Sequence, residues 1–122
     1  MKVCISSTGI TLDSNVDPRF GRCAFFIIYN TDLDTFEYYE NESRNTMGGA
    51  GIQAAQKALE NKVDAVISGN IGPNAFKVFN TSAIKIYTGV SGSIRDAIAQ
   101  LKNNELNQAA APNVQSHYGM GR

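Results

Sequence analysis

The order in which apolar patterns follow one another constrains this chain more than any single motif does. Three strand-like runs come first, and helical and strand-like runs then alternate. Residues 2–7 are β-branched and apolar up to a pair of serines, which predicts a first strand. Residues 23–29 carry the unbroken run Phe25-Phe26-Ile27-Ile28 of a strand buried on both faces, and the turn formers of residues 30–34 join it to a third strand at 35–40. Glu37 and Glu40 suit a sheet edge, where charge discourages further pairing. Ile52, Ala55, Leu59 and Val63 recur at helical spacing, predicting a helix over 51–61 and then a strand at 64–68. Pro73 fits the first position of a helix running to residue 80, with Phe76 and Phe79 facing inward. A last strand at 84–88 leads to Ser93, which with Asp96 resembles a capping box opening a helix striped by Ile94, Ile98 and Leu101.

Short links make the first three strands antiparallel neighbours, while helical crossovers make the first, fourth and fifth parallel. The expected fold is therefore a three-layer α/β/α domain with a mixed five-stranded sheet of order 3-2-1-4-5, strand 2 antiparallel. Residues 1–107 are expected to form this one domain, and the polar, small-residue segment 108–122 a mobile tail. At 122 residues the chain hides about two-thirds of its unfolded surface on folding, so no disulfide or structural metal is required. Eleven Lys plus Arg balance eleven Asp plus Glu, which leaves no global field to attract nucleic acid or a membrane surface. The apolar run at the N-terminus is too short for a signal peptide or a membrane span, and a cytoplasmic protein is expected.

In that topology strands one, three, four and five end at one edge of the sheet, and the reversed second strand begins there. Phe20, Gly21 and Arg22 of the first loop, Gly48, Gly49 and Gly51 of the second, Asn70, Gly72 and Asn74 of the third and Gly89 of the fourth are expected to gather at that edge. Open α/β sheets bind ligands at the carboxyl ends of their strands. Three helix N-termini point the same way, with unpaired N–H groups and partial positive charge, and Arg22, Arg19 and Arg44 can add forked donors. The chemistry favoured is the cradling of a small anion. Each glycine run taken singly is equally consistent with a tight turn; their convergence favours a site. Gly49-Ala50-Gly51-Ile52-Gln53-Ala54 matches the pattern G-x-G-x-x-A, but it follows a hairpin loop and the next strand ends at Ser68-Gly69 without a ribose-binding acid, which argues against a dinucleotide. No G-x-x-x-x-G-K-[ST] is present.

Cys4 falls within the central strand and reads as a small buried hydrophobe. Two readings of Cys23 stand: a metal ligand or nucleophile whose pKa the adjacent Arg22 lowers, or a partly buried strand residue. Met47 is either loop packing or a thioether contact to a soft metal, and His117 in the tail is either solvated or able to close over a bound metal.

Taken together, Phe20-Gly21-Arg22, the run from Gly48 to Gln56 and Gly69-Asn70-Ile71-Gly72-Pro73-Asn74-Ala75 resemble the dinitrogenase iron-molybdenum cofactor biosynthesis family, in order and spacing over about residues 1–107. The resemblance implies a ribonuclease H-like fold. It also implies kinship with proteins that carry or store nitrogenase cofactor precursors and with others that hold molybdenum-containing sulfide clusters. Several members place a histidine just before the glycine run, where this chain has Thr46 and Met47, and many have alanine or serine at the position of Cys23. Nuclease activity is not implied, because the first strand offers Cys4 and Ser6 where metal-binding carboxylates would be needed. The function expected on these grounds is that of a non-catalytic protein that carries or scaffolds an iron-sulfur or molybdenum-sulfide cluster, with a cluster-delivery protein as partner. The alternatives are an enzyme or sensor for a small phosphorylated or nucleotide-like anion at the same edge, or an adaptor whose tail docks a partner.

Overall fold

The computed structural model describes residues 1–113. Strand β1 (Lys2–Ser7) occupies the centre of a five-stranded sheet, antiparallel to β2 (Phe25–Asn30) and parallel to β4 (Ala65–Ile67). Strand β3 (Thr35–Glu40) lies outside β2 and β5 (Lys85–Tyr87) outside β4, giving the order β3-β2-β1-β4-β5. Register follows from alternation. Ile5 stands opposite Ile27 and Ile67, and Cys4 stands opposite Ile28 and Val66, so successive residues of β1 feed opposite halves of the core.

Helices α1 (Ala50–Glu60) and α2 (Pro73–Thr81) cover the face that bears Cys4, Ile28 and Val66. The small residues Ala54, Ala55 and Ala58 bring α1 close, and Phe76 and Phe79 fill the space beside them. Helix α3 (Ile94–Lys102) covers the other face, packing Ile94, Ala97 and Ile98 on Val3, Ile5, Ile27 and Ile67. Its start is fixed as the sequence predicts, with the Ser93 hydroxyl accepting from the Asp96 N–H at 3.0 Å. Among the described residues no helix is long and apolar enough to cross a membrane.

Three expectations need correction. Strand β2 begins at Phe25 rather than Cys23, because the Asn41 side-chain amide donates to the carbonyls of both Gly21 (3.1 Å) and Cys23 (2.9 Å) and bends the chain there. Strands β4 and β5 are three residues each, since both chains leave the ladder for the turns at Gly69 and Gly89. The tail expected over 108–122 is not free at its start. Gln108 bridges to Tyr87, and the Ala109 N–H donates to the Ile86 carbonyl at 2.7 Å, so the segment pairs with the open edge of β5. His117 lies outside the described residues.

Candidate functional site

The first long loop, residues 8–22, holds the key to the sheet edge, and it is pinned at both ends. Ser7 bridges to Val16, the Asp17 N–H donates to the Ser6 carbonyl at 2.8 Å, and the Asp17 carbonyl accepts the Ser6 hydroxyl at 2.7 Å. The buried Asp17 carboxylate accepts the Arg19 N–H at 2.9 Å and the Arg19 Nε at 3.4 Å, an Asx turn that closes over Pro18. Phe20 then drops into the core, its ring 5.1 Å from Phe26 and 5.4 Å from Phe79. That anchor brings Gly21 against α1: a Cβ at Gly21 would lie 2.9 Å from both Cα and N of Gly51.

Residues 18–22, the start of α1 and the start of α2 surround an open cleft of about 650 Å³, within the range of small-ligand sites. One wall is Pro18, Arg19, Phe20, Gly21 and Arg22; a second is Gly48, Gly49, Ala50, Gly51 and Ile52; a third is Asn70, Gly72, Pro73, Asn74 and Ala75. Of the ligand-binding residues expected from sequence, only Gly89 stands outside this lining. Its N–H donates to the Gly69 carbonyl at 2.8 Å, so Gly89 props the third wall from behind.

Two helix N-termini open into the cleft rather than three. Gly49 and Gly72 are the N-caps of α1 and α2, and neither helix has a side-chain cap. The backbone N–H groups of their first turns are therefore available to a ligand. Gly49 sits at φ 75° in the left-handed region, which lets the chain enter α1 with those amides facing the cleft. The N-terminus of α3 is spent elsewhere, because Ile94 N–H donates to Ser14 and Arg95 N–H to Leu12, both at 2.8 Å.

Among the described residues no carboxylate lines the cleft, and neither α1 nor α2 carries an acid in its first turn. The formal charge of the lining comes from Arg19 and Arg22, reinforced by the two helix dipoles. Arg22 Nη1 donates to the carbonyls of Arg44 and Thr46, each at 2.8 Å, and so fixes the loop that delivers Gly48 and Gly49. Arg44 contributes that carbonyl and is not part of the lining. Met47 is almost wholly exposed at 98 %, which removes the loop-packing reading.

Of its two readings, Cys23 follows the buried one rather than that of a reactive thiol. It is fully buried, its Sγ donates to the Phe20 carbonyl at 3.3 Å, and burial pushes its pKa up to about 12. Arg22, turned toward residues 44 and 46, does not offset that burial. Burial drives the Cys4 thiol upward as well. Among the described residues no group of three or more His, Cys, Asp or Glu is placed to hold a metal ion. Sequence reasoning missed Pro18, Ala50, Ile52, Pro73 and Ala75 as lining and Asn41 as the strut behind Gly21. Of these, Pro18 had a usable signal, the Asp-Pro-Arg order of an Asx turn.

Known proteins are similar to this chain in both fold and sequence. The apo form of the orange protein from Desulfovibrio gigas matches with a TM-score of 0.89 and 32% identity, over 92% of this chain and 95% of that one. A putative NifB protein from Thermotoga, solved by NMR, matches with a TM-score of 0.77 and 32% identity, over 88% and 91% of the two chains. An uncharacterized protein of Methanocaldococcus jannaschii is 34% identical over 110 residues, covering 87% of this chain and 93% of its own. The family model described as dinitrogenase iron-molybdenum cofactor matches residues 1–104. The strand order, the three loop motifs and this match together make the chain a member of the dinitrogenase iron-molybdenum cofactor family.

Proposed function

We propose that the protein binds a preassembled anionic metal-sulfide cluster, of the iron-sulfur or molybdenum-sulfide kind, as cargo in the cleft between residues 18–22, α1 and α2. The observation that carries this reading is the donor set: two uncapped helix N-termini and two lining arginines, of which Arg19 is also paired with Asp17 behind it, with no carboxylate in the lining among the described residues. Such a cradle suits an anion that brings its own sulfide ligands, and it does not suit a bare cation, which needs oxygen, nitrogen or thiolate donors. The raised thiol pKa of Cys23 fits the same division, with the protein supplying hydrogen bonds and charge and the cargo keeping its own metal coordination. The apolar parts of the lining, Phe20, Ile52 and Pro73, lower the local dielectric and strengthen each amide-to-anion contact. Asparagine, arginine and apolar side chains supply no general base at neutral pH, so the site's work is retention and release.

The test is anaerobic incubation with ferrous iron, sulfide and tetrathiomolybdate, then gel filtration with metal analysis of the protein peak. Coloured, metal-bearing protein is expected, and a colourless, metal-free peak refutes the reading. Thermal-shift measurements with nucleotides run alongside. A shift with a nucleotide and none with thiomolybdate transfers the cleft to phosphorylated ligands, which helix N-termini hold equally well.

A further inference from the structure

Beyond residue 104, where the match to the family ends, the chain returns to the cleft. Gln108 and Ala109 pair with β5, and the segment then reaches the turn that leads into α2. There the Asn113 side chain makes three hydrogen bonds. Its Oδ1 accepts the Ile71 N–H at 2.8 Å, and its Nδ2 donates to the Gly69 carbonyl at 2.9 Å and to Asn70 Oδ1 at 3.0 Å. Asn70 passes the connection on: its Nδ2 donates to the Pro18 carbonyl at 3.0 Å, and its own carbonyl accepts the Phe20 N–H at 3.2 Å. Pro18, Phe20 and Asn70 all line the cleft. One side chain from outside the family match thus braces Asn70, the residue that ties two cleft walls together.

We infer that Asn113 is a positioning residue for the cleft, the latch of a C-terminal strap that holds the turn at residues 69–71 and, through Asn70, the first-loop wall in register for ligand. The inference rests on the cleft being the binding site, and its geometry can be tested apart from that reading. An asparagine suits the task because it offers one acceptor and two donors in a plane, matching the N–H, carbonyl and amide oxygen it meets. With the latch open, the turn loses three bonds, and Asn70 keeps its links to the first loop and the Ser68 hydroxyl at 3.4 Å.

The experiment compares wild type, Asn113→Ala and Asn113→Asp in the full chain, with amide hydrogen exchange at Ile71 and Phe20 and with the dissociation constant for tetrathiomolybdate. Asn113→Ala should speed exchange at both amides and weaken tetrathiomolybdate binding about five- to tenfold, the scale of one or two lost hydrogen bonds. Asn113→Asp keeps the acceptor, so Ile71 should stay protected. It loses both donors and adds a negative charge, so anion binding should fall at least as far as in the alanine variant. Faster exchange at Ile71 alone, with Phe20 and the dissociation constant unchanged, would reduce Asn113 to a local tether and overturn the inference. An unprotected Ile71 amide in wild type would overturn it too. If wild type binds no tetrathiomolybdate, the cluster reading falls, and the Phe20 exchange rate alone decides whether the latch positions the wall.

Discussion

Gly21 and Gly51 touch backbone to backbone, and substituting each by alanine should have opposite consequences. At Gly21 the new Cβ would sit 2.9 Å from the Cα and the N of Gly51 and 3.3 Å from the Ala50 carbonyl carbon. Ordinary carbon contacts lie at roughly 3.5–4.0 Å, so the first-loop wall and α1 must separate by about 0.6–1 Å, and neither yields easily. The loop is held by the buried Phe20 ring, and α1 by Ala54 and Ala55 against the sheet. Overpacking of this kind costs about 1–3 kcal/mol. For a chain of this size that is a midpoint lowered by roughly 4–12 °C. A Cβ at Gly51, by contrast, meets only the Ala75 Cβ at 3.5 Å, an ordinary contact. Replacing a helical glycine with alanine there should be neutral or stabilising by up to about 1 kcal/mol. Urea denaturation of the two variants, with equal slopes taken as evidence that the same surface unfolds, gives both numbers. If Gly21→Ala stays within about 0.5 kcal/mol of wild type, or Gly51→Ala is equally damaging, the close-approach argument is wrong.

Phe79→Ala removes a fully buried ring at the junction of α2, Phe20 and the sheet and should cost about 3–5 kcal/mol in chemical denaturation. Leu33→Ala, at a position 70% exposed, should change stability by less than about 0.5 kcal/mol. Iodoacetamide at pH 8 should leave Cys4 and Cys23 unmodified in the native protein and alkylate both in urea, read by mass spectrometry, because burial raises both thiols. Asp34 is held below its ordinary value of 3.8 by hydrogen bonds from Lys102 and Tyr29. A carboxylate lowered in the folded state adds stability above its unfolded pKa and loses it as pH falls through the folded one. Asp34→Asn should therefore lower the melting temperature slightly at pH 7, and the gap should close in strong acid.

The fold was legible because its determinants are local and periodic. The apolar run of β2, the spacing of Ile52, Ala55 and Leu59, and Pro73 at the head of α2 each specify an element. The β-β-β-α-β-α-β-α order leaves few right-handed, short-looped ways to join them. Loop positions at the carboxyl edge follow from that topology, which gathers four glycine-bearing loops there, three of them in the lining of the cleft. What the sequence concealed depends on hydrogen bonds between distant segments. Nothing in Asn41 or Asn113 distinguishes them from solvated asparagines until the chain carries one beneath Gly21 and the other onto Ile71. A glycine at a strand end reads alike whether it faces a ligand or, like Gly89, props its neighbour. The choice between the two readings of Cys23 is closed to the sequence for a related reason. Adjacency to Arg22 in sequence says nothing of where that guanidinium turns, and it turns to the carbonyls of Arg44 and Thr46.

The sheet divides the core into two halves, and the cleft stands on only one of them. Phe20 and Ile71, the buried anchors of the first and third walls, belong with Ala54, Ala55, Phe76 and Phe79 under α1 and α2, while Ile94, Ala97 and Ile98 of α3 fill the other side. Local openings of a protein follow such packed units. Fraying of the last turns of α3 can thus come and go without loosening the footing of the cleft, whereas its first turn, tied to Leu12 and Ser14, steadies the first loop. Sequence drift beneath α1 and α2 has no such latitude, since any change there moves the floor on which the site rests.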